Sequence, residues 1–423
     1  MKKVLIIYPH FPPSNLVGVH RIRLITQHLS SFGWEPVVLT VHEKYYEEEL
    51  DLNLFKLLST DLRIEKVHAF SVTKPRFIGD IGLRSFIQLY KRGKQLIAEE
   101  RFDFLYCSIP SFYCALLGRF LHSATGIKYG IDYQDPWVHV FPGSNKFLSR
   151  HWLSTRIAKF LEPIAVKNAS LITGIAEGYY EPVLERNPHL QAVVSGAMPM
   201  GGEIKDYEMV STLKNVPYLF KKNNQKLQLA YAGAMLPKAY EPLEEIFTSI
   251  AANSLLFKDI EFHFIGTGKL ANDPLSYNIR PLAEKYGLWN SIVFEYPKRI
   301  PYFDVIIHLN EADAIFILGS TEPHYTPSKV YQAILAEKPI LAVLHEASTA
   351  AMILKDSNAG VVITMNALNT AQLQQSFPTA FAAFSHFTRT YKKEQVNKEV
   401  FLDYSAFAVT KKLSQLLEKA CIK

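Results

Sequence analysis

Met1-Lys2-Lys3-Val4-Leu5-Ile6-Ile7-Tyr8-Pro9-His10-Phe11-Pro12-Pro13 opens the chain, and its reading decides the fold. The run from Val4 to Tyr8 is apolar at every position, as expected of a strand buried on both faces of a parallel sheet. Lysines ahead of an apolar run also begin a secretory signal, but this run is too short and ends in a proline-rich turn. A loop from Pro9 to Gly18 follows. A helix is then predicted from Val19 to Ser31, with Ile22, Ile25 and Leu29 on one face and Gly33 beyond its end. Glu35 to Thr40 returns as a second strand, which completes a βαβ unit.

The same alternation continues outward. Phe104 to Cys107, Tyr129 to Asp132 and Leu171 to Thr173 are further predicted strands with helical stretches between them. Between about Ser195 and Lys226 the pattern breaks, with Pro199, Gly201, Gly202 and the polar run Lys221-Lys222-Asn223-Asn224. It restarts with strands over Leu227 to Ala232, Phe262 to Ile265, Ile292 to Phe294, Ala314 to Leu318, Ile340 to Leu344 and Gly360 to Ile363. Helices are predicted over Glu241 to Ala252, Thr326 to Ala336 and Tyr404 to Lys419. The predicted class is α/β. A Rossmann-like domain spans 1–198, a linker 199–226, a second Rossmann-like domain 227–385 and a helical segment 386–423, which could pack back on the first domain. Ligands of open α/β sheets bind at the carboxyl ends of the strands, so the two sheets are expected to face a shared cleft.

Bulk properties agree with that plan. With 423 residues the chain exceeds one compact core, and two domains are the natural division. Charged residues make up 20%, ordinary for a globular enzyme. The cysteines Cys107, Cys114 and Cys421 fit neither a disulfide framework nor a metal-ligand spacing, which points to a reducing, cytoplasmic setting. A net charge of +6 admits attraction to phosphates or an anionic membrane but falls short of a nucleic-acid signature. No stretch approaches the ~18 apolar residues of a membrane span.

Four constellations could carry chemistry. In Thr326-Pro327-Ser328-Lys329-Val330-Tyr331-Gln332-Ala333, Thr326 caps a helix and Pro327 suits its first position. The amides of Ser328 and Lys329, the helix dipole and the Lys329 ammonium then form a site for a diphosphate. Gln332 lies one turn on and could bond neighbouring hydroxyls. In Tyr231-Ala232-Gly233-Ala234-Met235-Leu236-Pro237-Lys238, Gly233 lets the backbone approach a ligand and Lys238 could neutralise a leaving group. In the first loop, Gly18 could admit a substrate and Arg21 could meet an anion, although the repeated glycines of a dinucleotide fingerprint are absent. In Asp132-Tyr133-Gln134-Asp135-Pro136-Trp137, carboxylates stand at a strand end and Trp137 offers a flat face for a sugar. Each has a plain structural alternative: a capped surface helix, solvated lysines, a turn capped by Asp135. No aspartate–any–aspartate motif for a metal and no serine nucleophile elbow is present.

Taken in order, these segments resemble the GT-B glycosyltransferases, specifically the retaining group called glycosyltransferase family 4. The resemblance spans most of the chain, from Tyr8-Pro9-His10-Phe11-Pro12-Pro13 with Gly18 to Pro327-Ser328-Lys329 and Glu337-Lys338-Pro339-Ile340. It includes Asp132-Tyr133-Gln134-Asp135-Pro136-Trp137, similar to a motif of members that build cell-surface polysaccharides. Tyr231-Ala232-Gly233 and Phe264-Ile265-Gly266-Thr267-Gly268 look like the first strand ends of the donor domain. The resemblance implies that Lys238, Lys329 and the amides of Ser328 and Lys329 hold the diphosphate of a UDP- or GDP-linked sugar, with Val330 beside them. Gln332 stands where the family usually has a glutamate that bonds the ribose, and His324 where another glutamate faces the sugar. Asp135, at its strand end facing the cleft, is counted with Lys238 and Lys329 as a catalytic candidate.

Departure of a nucleoside diphosphate puts negative charge on phosphate oxygens, and fixed donors aimed at them are the largest available lever. Two lysines and a helix N-terminus can therefore replace a metal, so no cofactor is expected. Front-face attack by the acceptor, a glycan or lipid-linked glycan, would give retention, which the resemblance alone implies. Rival readings are a nucleotide-sugar epimerase of the same shape and a catalytically silent nucleotide-sugar or glycan-binding protein. Segments Lys146 to Lys159 and Arg84 to Arg101 mix basic and aromatic residues, which suits peripheral contact at the inner membrane face. Alternatively, their apolar residues pack on the sheet.

Overall fold

The structure, a computed structural model, describes residues 1–73, 78–139, 146–213, 215–322 and 329–422. The chain divides into two compact units, Met1–Met200 with Ala406–Lys423, and Gly201–Ser405.

Along the first unit run β1 (Lys2–Ile7), α1 (Val17–His28), β2 (Trp34–Val41), β3 (Arg63–Val67), α2 (Ile81–Arg84) and α3 (Phe86–Glu99). They are followed by β4 (Phe104–Ile109), α4 (Ala115–Thr125), β5 (Tyr129–Tyr133), α5 (Arg150–Val166), β6 (Leu171–Gly174), α6 (Glu177–Arg186) and β7 (Val194–Ala197). The second unit carries α7 (Ile204–Thr212), β8 (Leu227–Ala232), α8 (Tyr240–Ala252), β9 (Ile260–Ile265), α9 (Arg280–Lys285), β10 (Val293–Tyr296) and α10 (Tyr302–Glu311). Then come β11 (Ala314–Leu318), α11 (Lys329–Leu335), β12 (Ile340–His345), α12 (Thr349–Asp356), β13 (Gly360–Met365), α13 (Leu373–Thr390) and α14 (Glu399–Leu402). The last helix, α15 (Ala406–Ile422), belongs to the first unit again.

The first sheet has seven strands in the order β3-β2-β1-β4-β5-β6-β7, the second six in the order β10-β9-β8-β11-β12-β13. All the named strand pairs are parallel. In each sheet the chain winds outward from a central strand and then returns to its other side. The order therefore reverses between β1 and β4, and between β8 and β11. Loops leaving adjacent strands there go to opposite faces and leave a crevice, where ligands bind in this class of sheet.

One face of the first sheet is covered by α3, α4 and α5 through Leu89, Leu96, Leu117, Leu121, Ala158 and Ala165. The other is covered by α1, through Val19, Ile22 and Ile25, and by α15, through Val409, Leu413 and Leu417. Full burial of each such leucine is worth ~1.5–3 kcal/mol, so α15 is a structural part of the first unit. The second unit has its own core, with Leu229, Phe262 and Phe316 on the strands and Leu243, Phe247 and Phe377 on the covering helices.

Three features depart from the sequence expectations. The edge strands β3 and β7 are additional to those read from the sequence. The stretch read as a linker contains α7 and, from Gly201 on, belongs to the second unit. Residues up to Ser405 also stay with that unit, so only 406–422 of the C-terminal helical segment packs on the first sheet.

Candidate functional site

The crevice of the second sheet is built by the loops after β8 and β11. β8 ends at Tyr231-Ala232, and Gly233 follows with φ of +116°, a conformation open to glycine and strained for other residues. A Cβ built on Gly233 would lie 2.7 Å from Cε of Lys329, so the observed course of the Lys329 side chain relies on the absence of a methyl group there. Lys329 opens α11. Its ammonium donates to the Tyr231 hydroxyl, lies 3.7 Å from the centre of the Tyr231 ring and stands 3.4 Å from the Ala234 carbonyl. Loss of water around the charge pushes the Lys329 pKa down to about 7. The side chain is half-buried, and among the described residues no carboxylate lies against it. A cation held by a ring face, a phenol and one carbonyl is incompletely compensated, and an anion is the group that would complete it.

Lys238 sits in the short helical turn Pro237–Ala239 of the same loop. Its Nζ is 3.0 Å from Oε1 of Glu322, and its carbonyl accepts from the Thr321 amide at 3.3 Å. The loops after β8 and β11 are thereby joined, and the Lys238 charge already has a counterion. Val330 is buried, leaving only its backbone to meet a ligand. The amide of Gln332 donates to the Tyr302 hydroxyl at 3.3 Å, which in turn donates to Asp206 at 2.7 Å, while the Gln332 carbonyl accepts from Tyr207 at 2.5 Å. Gln332 is thus tied into a polar chain rather than free. His324 and Ser328 lie outside the described residues.

The loop after β9 is fixed by Glu295, which the sequence reading missed. Its buried carboxylate accepts from the Thr267 hydroxyl at 2.8 Å and from the amides of Asn278, Ile279 and Arg280 at 2.9, 2.9 and 2.8 Å. It satisfies the open N-terminus of α9 from another strand. Gly266-Thr267-Gly268 is accordingly a held turn.

In the first unit several expectations are corrected. Arg21 is fully buried and forms a two-pronged ion pair with Asp132, at 2.7 and 2.8 Å. Its remaining nitrogen donates to the Met198 and Pro199 carbonyls at 2.8 and 3.0 Å. It therefore presents no face to a ligand anion. Burial alone would raise the Asp132 carboxyl, but the Arg21 charge and bonds from Thr173 and Ser108 outweigh it and hold the pKa down. Gly18 is required by the protein itself, since a Cβ there would come within 2.0 Å of the Tyr8 hydroxyl. Trp137 is buried, with its flat face stacked on Phe112 at 6.1 Å.

Asp135 remains at the carboxyl edge, two residues past β5. Asp135 is exposed, yet the surrounding protein displaces enough water to push its carboxyl up to about 6. On the same edge, past β1 and β2, His10 Nδ1 meets Glu48 Oε1 at 2.9 Å, and Ser14 donates to the same oxygen. Burial pushes Glu48 up, but the bonds from His10 and Ser14 win and hold it at about 2. Little in the sequence marks this pair, because Glu48 sits within the acidic run Glu47-Glu48-Glu49 and His10 lies 38 residues away.

No family model matches the chain, and no curated protein matches it significantly in sequence. Solved structures do match. HepE from Anabaena, in complex with UDP and glucose, is 13% identical with a TM-score of 0.64, covering 99% of this chain and 100% of that one. Sucrose-phosphate synthase from Thermosynechococcus elongatus is 12% identical with a TM-score of 0.61, covering 99% and 98%. A glycosyltransferase from Rickettsia africae is 14% identical with a TM-score of 0.60, also covering 99% and 98%. At such identities the likeness establishes the architecture, and the chain has the GT-B fold.

Proposed function

We propose that this protein is a glycosyltransferase whose second unit holds the diphosphate of a nucleotide sugar at Lys329. The observation that carries the reading is the Lys329 ammonium, desolvated, with no carboxylate against it among the described residues, and seated against Gly233 at the reversal of the strand order. A diphosphate oxygen supplies the missing counter-charge, and the negative charge that develops as the bond to the sugar breaks strengthens that contact. This is stabilisation of the transition state beyond that of the bound donor. Lys238 would add to it by exchanging Glu322 for phosphate. HepE was solved with UDP-glucose, which makes UDP-linked sugars the first donors to test and GDP-linked sugars the second.

The finer parts of the proposal are transfer with retention, independence from metal, and a glycan or lipid-linked glycan acceptor in cell-surface polysaccharide synthesis. Asp135, raised to about 6, is the proposed polar contact for the acceptor in the first unit. The test is release of nucleoside diphosphate from a panel of UDP- and GDP-sugars, with and without excess EDTA. Wild-type protein should release it in both conditions. Lys329→Ala should lose ~10²–10³-fold in rate, the usual effect of removing one such contact. Equal rates in wild type and Lys329→Ala, or activity abolished by EDTA and restored by magnesium, would overturn the corresponding part.

A further inference from the structure

The helices α3, α4 and α5 cover one face of the first sheet, and their outer surface has a chemistry that the nucleotide-sugar site does not use. Along α5, Leu153, Arg156, Phe160 and Ile164 recur every three or four residues and form one outward stripe. Leu153 is 52% exposed and Phe160 72%. On the neighbouring helices, Ile87 of α3 is 53% exposed and Phe120 of α4 is 41% exposed. Phe86, Ile87, Tyr90 and Phe120 line a shallow apolar groove between α3 and α4.

The structure decides between the two sequence-level alternatives for these segments, and it divides them. Leu89 and Arg84 are buried, and Phe86, Tyr90 and Trp152 are half-buried. Ile87, Leu153 and Phe160 are not taken up by the core. Fixed charge on this face is mostly positive: Lys91 and Lys94 are exposed on α3, and the one exposed acid of that helix, Glu99, is paired with Arg92 at 3.2 Å. Arg150, Arg156 and Lys159 are exposed on α5, whose sole acid, Glu162, is buried and paired with Arg186 at 2.8 Å. α4 contains Arg119 and no acid.

We propose that the outer face of α3, α4 and α5 docks on an anionic lipid bilayer. Cations that alternate with single apolar side chains along one helix place both at headgroup depth, the rings inserted and the charges on lipid phosphates. The centre of a stable protein–protein interface is by contrast depleted of charge, which disfavours a protein as the occupant. Among the described residues no helix is long and apolar enough to cross a membrane, so the contact is peripheral. The inference does not rest on the transferase reading, because lipid binding is measured without any donor.

The experiment is co-sedimentation of the full chain with vesicles of phosphatidylcholine alone or mixed with phosphatidylglycerol, at low and high salt. The mixed vesicles should carry the protein down at low salt, and salt or omission of phosphatidylglycerol should release it. Leu153→Glu with Phe160→Glu, and separately Arg156→Glu with Lys159→Glu, should each weaken binding at least about tenfold. Both pairs are at the surface, and unchanged thermal melting would verify their fold. Leu275→Glu, at a 77% exposed leucine of the second unit, should bind like wild type. Absence of sedimentation with every vesicle, equal binding to both compositions, or an equal loss in Leu275→Glu would overturn the proposal.

Discussion

Two charged residues in this protein show how differently one charge can be used. The sequence singles out Lys329 through a local pattern suited to an anion at a helix start, although the expected cap, Thr326 and Pro327, lies outside the described residues. The partners of Lys329 carry no such local mark, since Tyr231 and Gly233 come from another strand end, 98 residues from Lys329 in the case of Tyr231. Arg21 gave a similar sequence signal, a cation after a glycine loop, yet it is locked to Asp132, 111 residues away. Burial and long-range pairing decide the role, and neither is written into the local stretch. Arg21→Ala should therefore destabilise the fold by ~3–5 kcal/mol, because it leaves Asp132 as a buried, uncompensated charge. Urea denaturation would measure this, and a change below about 1 kcal/mol would contradict the buried pair. The sign of the Lys329 contribution follows from its pKa, held near 7 in the fold against 10.5 ordinarily. Between those values the unfolded chain binds the extra proton, so this contribution to stability rises with pH across that window and falls as pH drops toward 7. An anion bound beside Lys329 reverses the preference and draws a proton back onto it.

At the scale of elements, strands with continuous apolar runs were the most legible. β8 and β11 have the bounds expected from sequence, Leu227 to Ala232 and Ala314 to Leu318. β3, Arg63-Ile64-Glu65-Lys66-Val67, is an edge strand with one buried residue in five, and its charges hide it from a search for apolar runs. β7, Val194-Ser195-Gly196-Ala197, is four residues long with one buried position, so no apolar run marks it. Gly196 lies against Leu416 of α15, so its lack of a side chain reflects packing that only the returning helix makes evident. The turn after β8 gives the element-scale prediction. Gly233→Ala forces a methyl group against Lys329 and an L-residue to φ of +116°. It should cost ~1–3 kcal/mol in stability and weaken UDP binding more than a surface glycine such as Gly126→Ala, whose Cβ position is open. Equal UDP affinities for the two variants would place Gly233 outside the site.

Across the whole molecule, two doubly wound sheets repeat one architecture, and each reverses its strand order at its own crevice. The sequence announced that repetition through its alternation of strands and helices, although the division at Gly201 and the return of α15 needed packing to become visible. The second crevice holds the undercompensated Lys329, while the first presents Asp135 and the His10–Glu48 pair. The central claim, that a diphosphate completes the charge at Lys329, is tested most directly by calorimetric titration of UDP at about pH 8 in two buffers of different ionisation enthalpy. Above its pKa near 7 the free Lys329 is largely neutral, so wild-type binding should take up close to one proton. Lys329→Ala should bind more weakly and without that uptake. UDP binding of equal affinity in both proteins, with the same proton balance, would contradict the account.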